Sequence, residues 1–323
     1  GEHDKALSDC NDVLRMAPEN GDAYRIRAIS FVERGEHHKA VSDCDRALEL
    51  TPEEYQDLRA LIHGTRGRAN DALGRDTLAI ADFTSALDYS PADAWLLYTR
   101  AMVHLRQEQY AAAIDDFTRG HNLAGDDPSW VYHRAQAYLG AGQWSEAIAD
   151  LTQSMYAYEG DASLYDDRAT AYENLGDEEA ARSDRESARK LRVAAAVQEG
   201  LKQQQQGHYE QAIASFTEAV KLDAGQVDAY FLRAEAHAML ERIDEALADY
   251  TQVISVDETH NEARLGRARL RFSQKKFDGA IDDYSVYLEH QPEDGLVYLE
   301  RRDALQAAGR DEEAKRDQQR YAE

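Results

Sequence analysis

Small and apolar residues recur along this chain at spacings that predict pairs of short helices. In Gly21–Glu54, Tyr24, Ala28 and Phe31 share one face of a helix expected from about Asp22 to Arg34. Ala40, Cys44 and Ala47 share one face of a second, from about His38 to Leu50. Gly35 separates the two, and Thr51-Pro52 follows the second; Gly at a helix C-terminal boundary and Pro just beyond one are the usual punctuation. The small residues fall where paired helices must approach closely.

The unit repeats. In the stretch Gly142-Gln143-Trp144-Ser145-Glu146-Ala147-Ile148-Ala149-Asp150, Ala147 has counterparts at Ala6, Ala40, Ala79, Ala113, Ala181, Ala212, Ala246, Ala280 and Ala314. Along the chain the intervals are 34, 39, 34, 34, 34, 31, 34, 34 and 34 residues. A period near 34 is that of a helix–turn–helix array, which lengthens by adding copies rather than by enlarging one core. Small residues hold the close-contact positions at Ala101, Ala135, Ala169, Ala234 and Ala268 on first helices and at Ala86, Ala188 and Ala219 on second helices.

The two irregular intervals predict local changes. In the longer one, Tyr55, Leu58, Leu61 and Ile62 keep helical spacing, so the extra residues are expected to lengthen a first helix. Near Pro128, which falls late after Gly125-Asp126-Asp127, a longer loop is expected. In the shorter interval, Glu178–Gln206 has no Pro and a lone Gly200, and Ser187–Val197 is built from good helix formers. One continuous helix is therefore expected to join two subarrays, residues 1–190 and 191–323. The first copy begins at its inter-helix turn, so residues 3–16 form a second helix without its partner and imply more sequence upstream. Asp311–Asp317 reads as a polar closing helix, and Arg302 and Tyr321 replace the small residues a further copy would pack against.

The order large apolar, small, aromatic, Gly, aromatic, Ala, aromatic, Ala, Pro over 34 positions resembles the tetratricopeptide repeat, and the resemblance covers nearly the whole chain. It implies an all-α, right-handed superhelical solenoid of antiparallel helix pairs. In that family the first helices line a concave groove holding an extended peptide or a helix. Projected onto this sequence, the groove holds Arg25, Ile29, Arg68, Trp95, Tyr98, Met102, Tyr132, His133 and Gln136, and then turns acidic at Asp166, Asp167 and Glu173. Further on it offers Phe231, Glu235, Leu265, Arg269 and Phe272. Tyr98 and Tyr132 either project into the groove or fill the seam between copies. One subclass clamps a C-terminal carboxylate with Lys and Asn; the corresponding positions here are Arg25, Ile29, Tyr98, Thr99, Tyr132 and Asp166, a departure that speaks against such a ligand.

A charged pattern runs through the copies. Arg27, Arg66, Arg100, Arg134, Arg168, Arg233, Arg267 and Arg301 are each followed 16 residues later by Asp43, Asp82, Asp116, Asp150, Asp184, Asp249, Asp283 and Asp317. Glu199 and Ser215 take those places in one copy, so both members are lost together, as expected of groups facing each other across a helix pair. Bidentate Arg–carboxylate geometry suits the spacing. A row of arginines for anionic ligands is the alternative.

Charge and chemistry narrow the function. With 37 basic and 62 acidic residues the net charge is -25, a field that repels phosphate backbones and anionic membranes. No nucleic acid, no membrane insertion, no cofactor, no metal and no catalytic residue is expected: the histidines are scattered, and no phosphate loop, nucleophile elbow or HExxH helix appears. Cys10 and Cys44 occupy equivalent core slots and read as inert thiols. The expectation is a non-enzymatic binding scaffold, in the cytoplasm, for a protein or peptide with some basic character. The alternatives are a regulatory arm of a larger enzyme or signalling protein and self-association through the array ends.

Overall fold

The computed structural model describes residues 2–125 and 127–322, so Asp126 of the Gly125–Asp127 connection lies outside the described residues. Among the described residues there are 18 α-helices and no strand, the all-α helical solenoid that the 34-residue period predicts. The chain forms two compact units, Gly1–Arg185 and Glu186–Glu323. Unit one contains α1 (Glu2–Met16), α2 (Gly21–Glu33), α3 (His37–Leu50), α4 (Gln56–Ala72), α5 (Asp76–Tyr89), α6 (Ala94–Arg106), α7 (Tyr110–Ala124), α8 (Pro128–Gly140), α9 (Trp144–Ser154) and α10 (Ala162–Asn174). The single 28-residue helix α11 (Glu178–Gln205) starts in unit one and ends in unit two. Unit two continues with α12 (Tyr209–Leu222), α13 (Val227–Met239), α14 (Ile243–Val256), α15 (Asn261–Ser273), α16 (Phe277–His290), α17 (Gly295–Ala307) and α18 (Asp311–Ala322).

Small residues set the pairing distance. Ala28, Ala101, Ala135, Ala169, Ala234 and Ala268 on first helices and Ala40, Ala113, Ala147, Ala246 and Ala280 on second helices are all fully buried. Ala101 and Ala113 share one core with Phe83 and Phe117, and Ala268 and Ala280 share another. A larger side chain at an alanine position would overpack the seam at about 1–3 kcal/mol. Within unit one α2 also touches α4, and α6 touches α8, so first helices of neighbouring pairs lie side by side. Cys10 and Cys44 are buried free thiols, and burial pushes the Cys44 thiol up to about 12, far from the reactive thiolate form.

The longer interval is absorbed as expected. α4 has 17 residues where α2, α6, α8 and α10 have 13, so one extra turn sits at its N-terminal end. The reading around Pro128 needs correction. Pro128 opens α8 instead of extending the loop before it, at a position where its missing N–H costs nothing, and Asp127 caps the helix by accepting from Ser129 N at 2.9 Å. α9 stops early, at Ser154, and the exposed stretch carrying Tyr156 and Tyr158 leads to α10.

Each pair turns through one residue in the left-handed region: Gly35, Gly74, Glu108, Gly142, Gly176, Gly207, Glu241, Lys275 and Gly309, with φ between 56° and 81°. At Glu108, Glu241 and Lys275 a side chain meets that conformation, which costs an L-residue roughly 1–2 kcal/mol relative to its relaxed state. Glu241→Gly should therefore stabilise unit two by about 0.5–1 kcal/mol, glycine's greater unfolded-state entropy offsetting part of the gain. Urea denaturation followed by circular dichroism checks this; an unchanged or lower midpoint contradicts it.

Candidate binding groove

The side-by-side first helices of unit one carry an open cleft of about 470 Å³ between α2, α4 and α6. Ile29, Ala60, Leu61, Leu96 and Trp95 give it an apolar lining, to which buried Thr65 adds a hydroxyl and Asp57, Arg68 and Asp93 add charge. Gly64 lines it where α8 carries Tyr132 and α10 carries Asp166. A Cβ on Gly64 would lie 3.1 Å from Leu96 Cδ2, so a side chain there would crowd the wall. Leu61 is 53% exposed and Trp95 47%, and the two line the same cleft, so their exposed apolar surface is grouped.

Of the residues projected onto the groove, Ile29, Arg68 and Trp95 meet in this cleft. Arg68 donates from Nη2 to Glu33 at 2.8 Å, and its guanidinium lies 5.9 Å from the Trp95 ring centre. Arg25 pairs with Asp22 on its own helix, and Met102 packs half-buried on the α5–α8 core; neither lines the cleft. Leu61, Gly64, Leu96 and Asp57 were not among the projected residues. The signal for them was the long interval together with a glycine inside a predicted first helix.

Tyr98 on α6 and Tyr132, His133 and Gln136 on α8 lie further along the row of first helices, outside the cleft. Tyr98 stands edge-on to Trp130 at 5.1 Å, to His133 at 5.5 Å and to Phe117 at 6.0 Å. Its hydroxyl lies 3.2 Å from His133 Nδ1, and it is half-buried in the seam between α6 and α8. Tyr132 is half-buried too, with its ring 5.6 Å from that of Tyr158. Gln136 donates to Asp167 Oδ2 at 2.6 Å. Burial, reinforced by the like charges of Asp166 and Asp161, pushes the Asp167 carboxyl up despite that hydrogen bond. In unit two, Phe231 packs on Tyr250 and His260, and burial pushes the Glu235 carboxyl up. Leu265 and Phe272 pack against the α16–α17 core, and Arg269 is engaged by Glu300 at 2.8 Å.

Behind this face the arginines form a ladder. Arg100 donates from Nε and Nη2 to Asp116 at 2.7 Å each, and from Nη1 to Thr84 on the preceding pair at 3.0 Å. The same three-way bond joins Arg27 to Asp43 and Asn11, Arg134 to Asp150 and Thr118, and Arg168 to Asp184 and Thr152. It recurs for Arg233 with Asp249 and Thr217, Arg267 with Asp283 and Thr251, and Arg301 with Asp317 and Ser285. Sequence reasoning missed the third contact, although Asn, Thr or Ser stands 16 residues before each of these arginines. Arg66 is the variant. It reaches back 21 residues to Asp45, and its Asp82 also accepts from Asn70 at 2.9 Å and lies 3.4 Å from His63 Nδ1. Burial alone would raise the Asp82 carboxyl, but the hydrogen bonds from His63, Arg66 and Asn70 outweigh it and hold the group below its ordinary value. Where the ladder skips, Ser215 donates to Gln203, whose amide donates to Glu199.

Repeated antiparallel pairs joined by such a ladder define the class: a helical-repeat solenoid protein. The tetratricopeptide repeat model matches residues 1–55, 197–254 and 240–295, and those stretches are tetratricopeptide repeats. No curated protein matches it. Among solved structures it is similar to the C-terminal part of a tetratricopeptide-repeat protein from Cytophaga hutchinsonii, at 15% identity and a TM-score of 0.47, covering 82% of this chain and 94% of that one. It is also similar to MamA of MSR-1, at 16% identity and a TM-score of 0.47, covering 53% of this chain and 95% of that one. A third likeness is to the tetratricopeptide-repeat domain of P58(IPK), at 20% identity and a TM-score of 0.33, covering 96% and 94%. Among the described residues no helix is long and apolar enough to cross a membrane.

Two predictions follow from this geometry. The aspartates of the ladder are 2–9% exposed and the arginines 11–24%, so removing one partner strands a charge. Arg134→Ala should cost about 3 kcal/mol, the lower end for a broken buried pair. Combined with Asp150→Ala it should cost less than the two single losses added, by about 1–3 kcal/mol in urea denaturation; strictly additive losses would show that the pair is not coupled. The second concerns Asp167. Its folded carboxyl binds a proton more tightly than the unfolded one, so stability is lost as pH rises from the ordinary carboxylate range through the raised value. Asp167→Asn, which keeps an acceptor for Gln136, should gain on the wild type in melting temperature over that rise and hold the gain above it. A pH-independent difference would refute the assignment.

Proposed function

We propose that this chain is a non-catalytic scaffold that holds a peptide segment or protein surface against the first-helix face of unit one. The open apolar cleft lined by half-exposed Trp95 carries the reading: a large aromatic and an arginine lining a concave site are what binding hot spots favour. The match to a repeat family whose members serve as interaction scaffolds supports it. The net charge of -25 favours partners with basic character and speeds their encounter.

Affinity capture from the native extract tests the proposal. The wild-type chain is compared with a Trp95→Ala, Tyr132→Ala variant and with a second-helix control, Asp115→Ala, Leu123→Ala, all confirmed to retain their helical content. A partner bound by the wild type and the control but lost from the groove variant is the expected result. Partners retained by the groove variant and lost from the control would move the site to the opposite face.

A further inference from the structure

The α2–α4–α6 cleft is a local departure from the repeat, and its causes point to the chemistry of what fills it. Elsewhere in unit one the position of Gly64 carries Arg25, Tyr98, Tyr132 or Asp166, side chains that occupy the face. Here the glycine contributes no side chain, and the extra N-terminal turn of α4 adds Asp57 to the lining. The resulting volume, about 470 Å³, lies in the range of roughly 300–1,000 Å³ of small-ligand sites, but it is not an enclosed cavity. Such a shape suits side chains of a chain lying across it better than an enclosed small molecule.

Charge in the lining then selects among peptides. Arg68 is met by Glu33, so its charge is already balanced. Among the described residues Asp57 and Asp93 have no basic partner, although Asp93 caps α6 by accepting from Leu96 N at 3.1 Å. Asp57 also complements the N-terminal dipole of α4, which removes the feature that would otherwise draw an anion there. The exposed Trp95 ring can take a further cation as it takes Arg68.

We infer that the cleft seats one or two apolar side chains of an extended peptide segment that carries a lysine or arginine beside them, the cation meeting Asp57 and Asp93. This rests on the groove reading above and narrows it to one subsite and one class of sequence.

A phage-displayed library of random 12-residue peptides, selected against the wild-type chain, supplies the probe; enriched peptides are synthesised and their affinities measured by fluorescence anisotropy. The variants are Leu61→Glu, which puts a charge in the cleft at an exposed position, and Asp57→Lys, which reverses a charge of the lining. Neither residue belongs to the buried core, and Tyr132→Ala serves as the variant for the rest of the groove. The expected result is enrichment of adjoining apolar and basic residues, with affinity falling at least tenfold in Leu61→Glu and in Asp57→Lys and salt weakening the binding. Enriched peptides that bind both cleft variants as well as the wild type, yet are lost in Tyr132→Ala, would overturn this inference and leave the groove reading standing. Enrichment of acidic peptides would overturn it also. Peptides indifferent to all three variants would overturn both.

Discussion

The ladder of arginines is the constraint on which the rest of the chain depends. Each guanidinium except that of Arg66 spends two donors on the aspartate of its own pair and one on a hydroxyl or amide of the preceding pair. One side chain therefore fixes both the spacing within a pair and the stacking of one pair on the next. Alanines alone would permit close approach without specifying an offset, because apolar packing is non-directional. A bidentate fork accepts only one geometry. In a solenoid, where each repeat touches only its neighbours, that local specification is repeated at nearly every step.

The same constraint decides where the chain can vary in length. At the five-residue expansion the rung survives: Arg66 reaches Asp45, 21 residues back instead of 16, and the surplus is expelled as one more turn at the start of α4. At the three-residue contraction the rung is absent, Gln203 bridging Ser215 and Glu199, and the helices on either side run together as α11. Where the rung holds, insertion changes the face and leaves the stack intact. Where it is lost, the interruption between pairs is lost as well. The cleft in unit one follows from the first case, since the added turn and Gly64 lie on the same helix.

Most of this fold was legible in the sequence because its determinants are local and repeated. The Gly at the turn, the Ala at the seam and the Arg with its Asp each recur at a fixed interval, so ten imperfect copies correct one another. The longer α4 and the continuous α11 could be read for the same reason, as departures from a known period. Pro128 misled because proline stops one helix and starts another with equal ease, and only the cap at Asp127 decides between them. The groove was less legible. Period places Tyr98 and Trp95 on the same helix face but does not say how far a neighbour's bulk covers each. Trp130, Phe117 and His133 close around Tyr98, while Gly64 leaves Trp95 uncovered. The cleft exists because of a missing side chain, and a pattern built on apolar residues has no term for an absence.

Acidity has a different standing in this chain from its apolar pattern. Many carboxylates are solvated or paired, and their interactions at the surface are worth little to stability. Asp167 in unit one and Glu235 in unit two are exceptions: both are half-buried on first helices, and burial pushes both carboxyls up. A carboxylate held charged in such a place is destabilising in the free protein, and a cation brought close to it would relieve the cost. Each of the two sites therefore holds a local electrostatic cost of the same sign, set by its own surroundings and separate from the apolar lining of the α2–α4–α6 cleft.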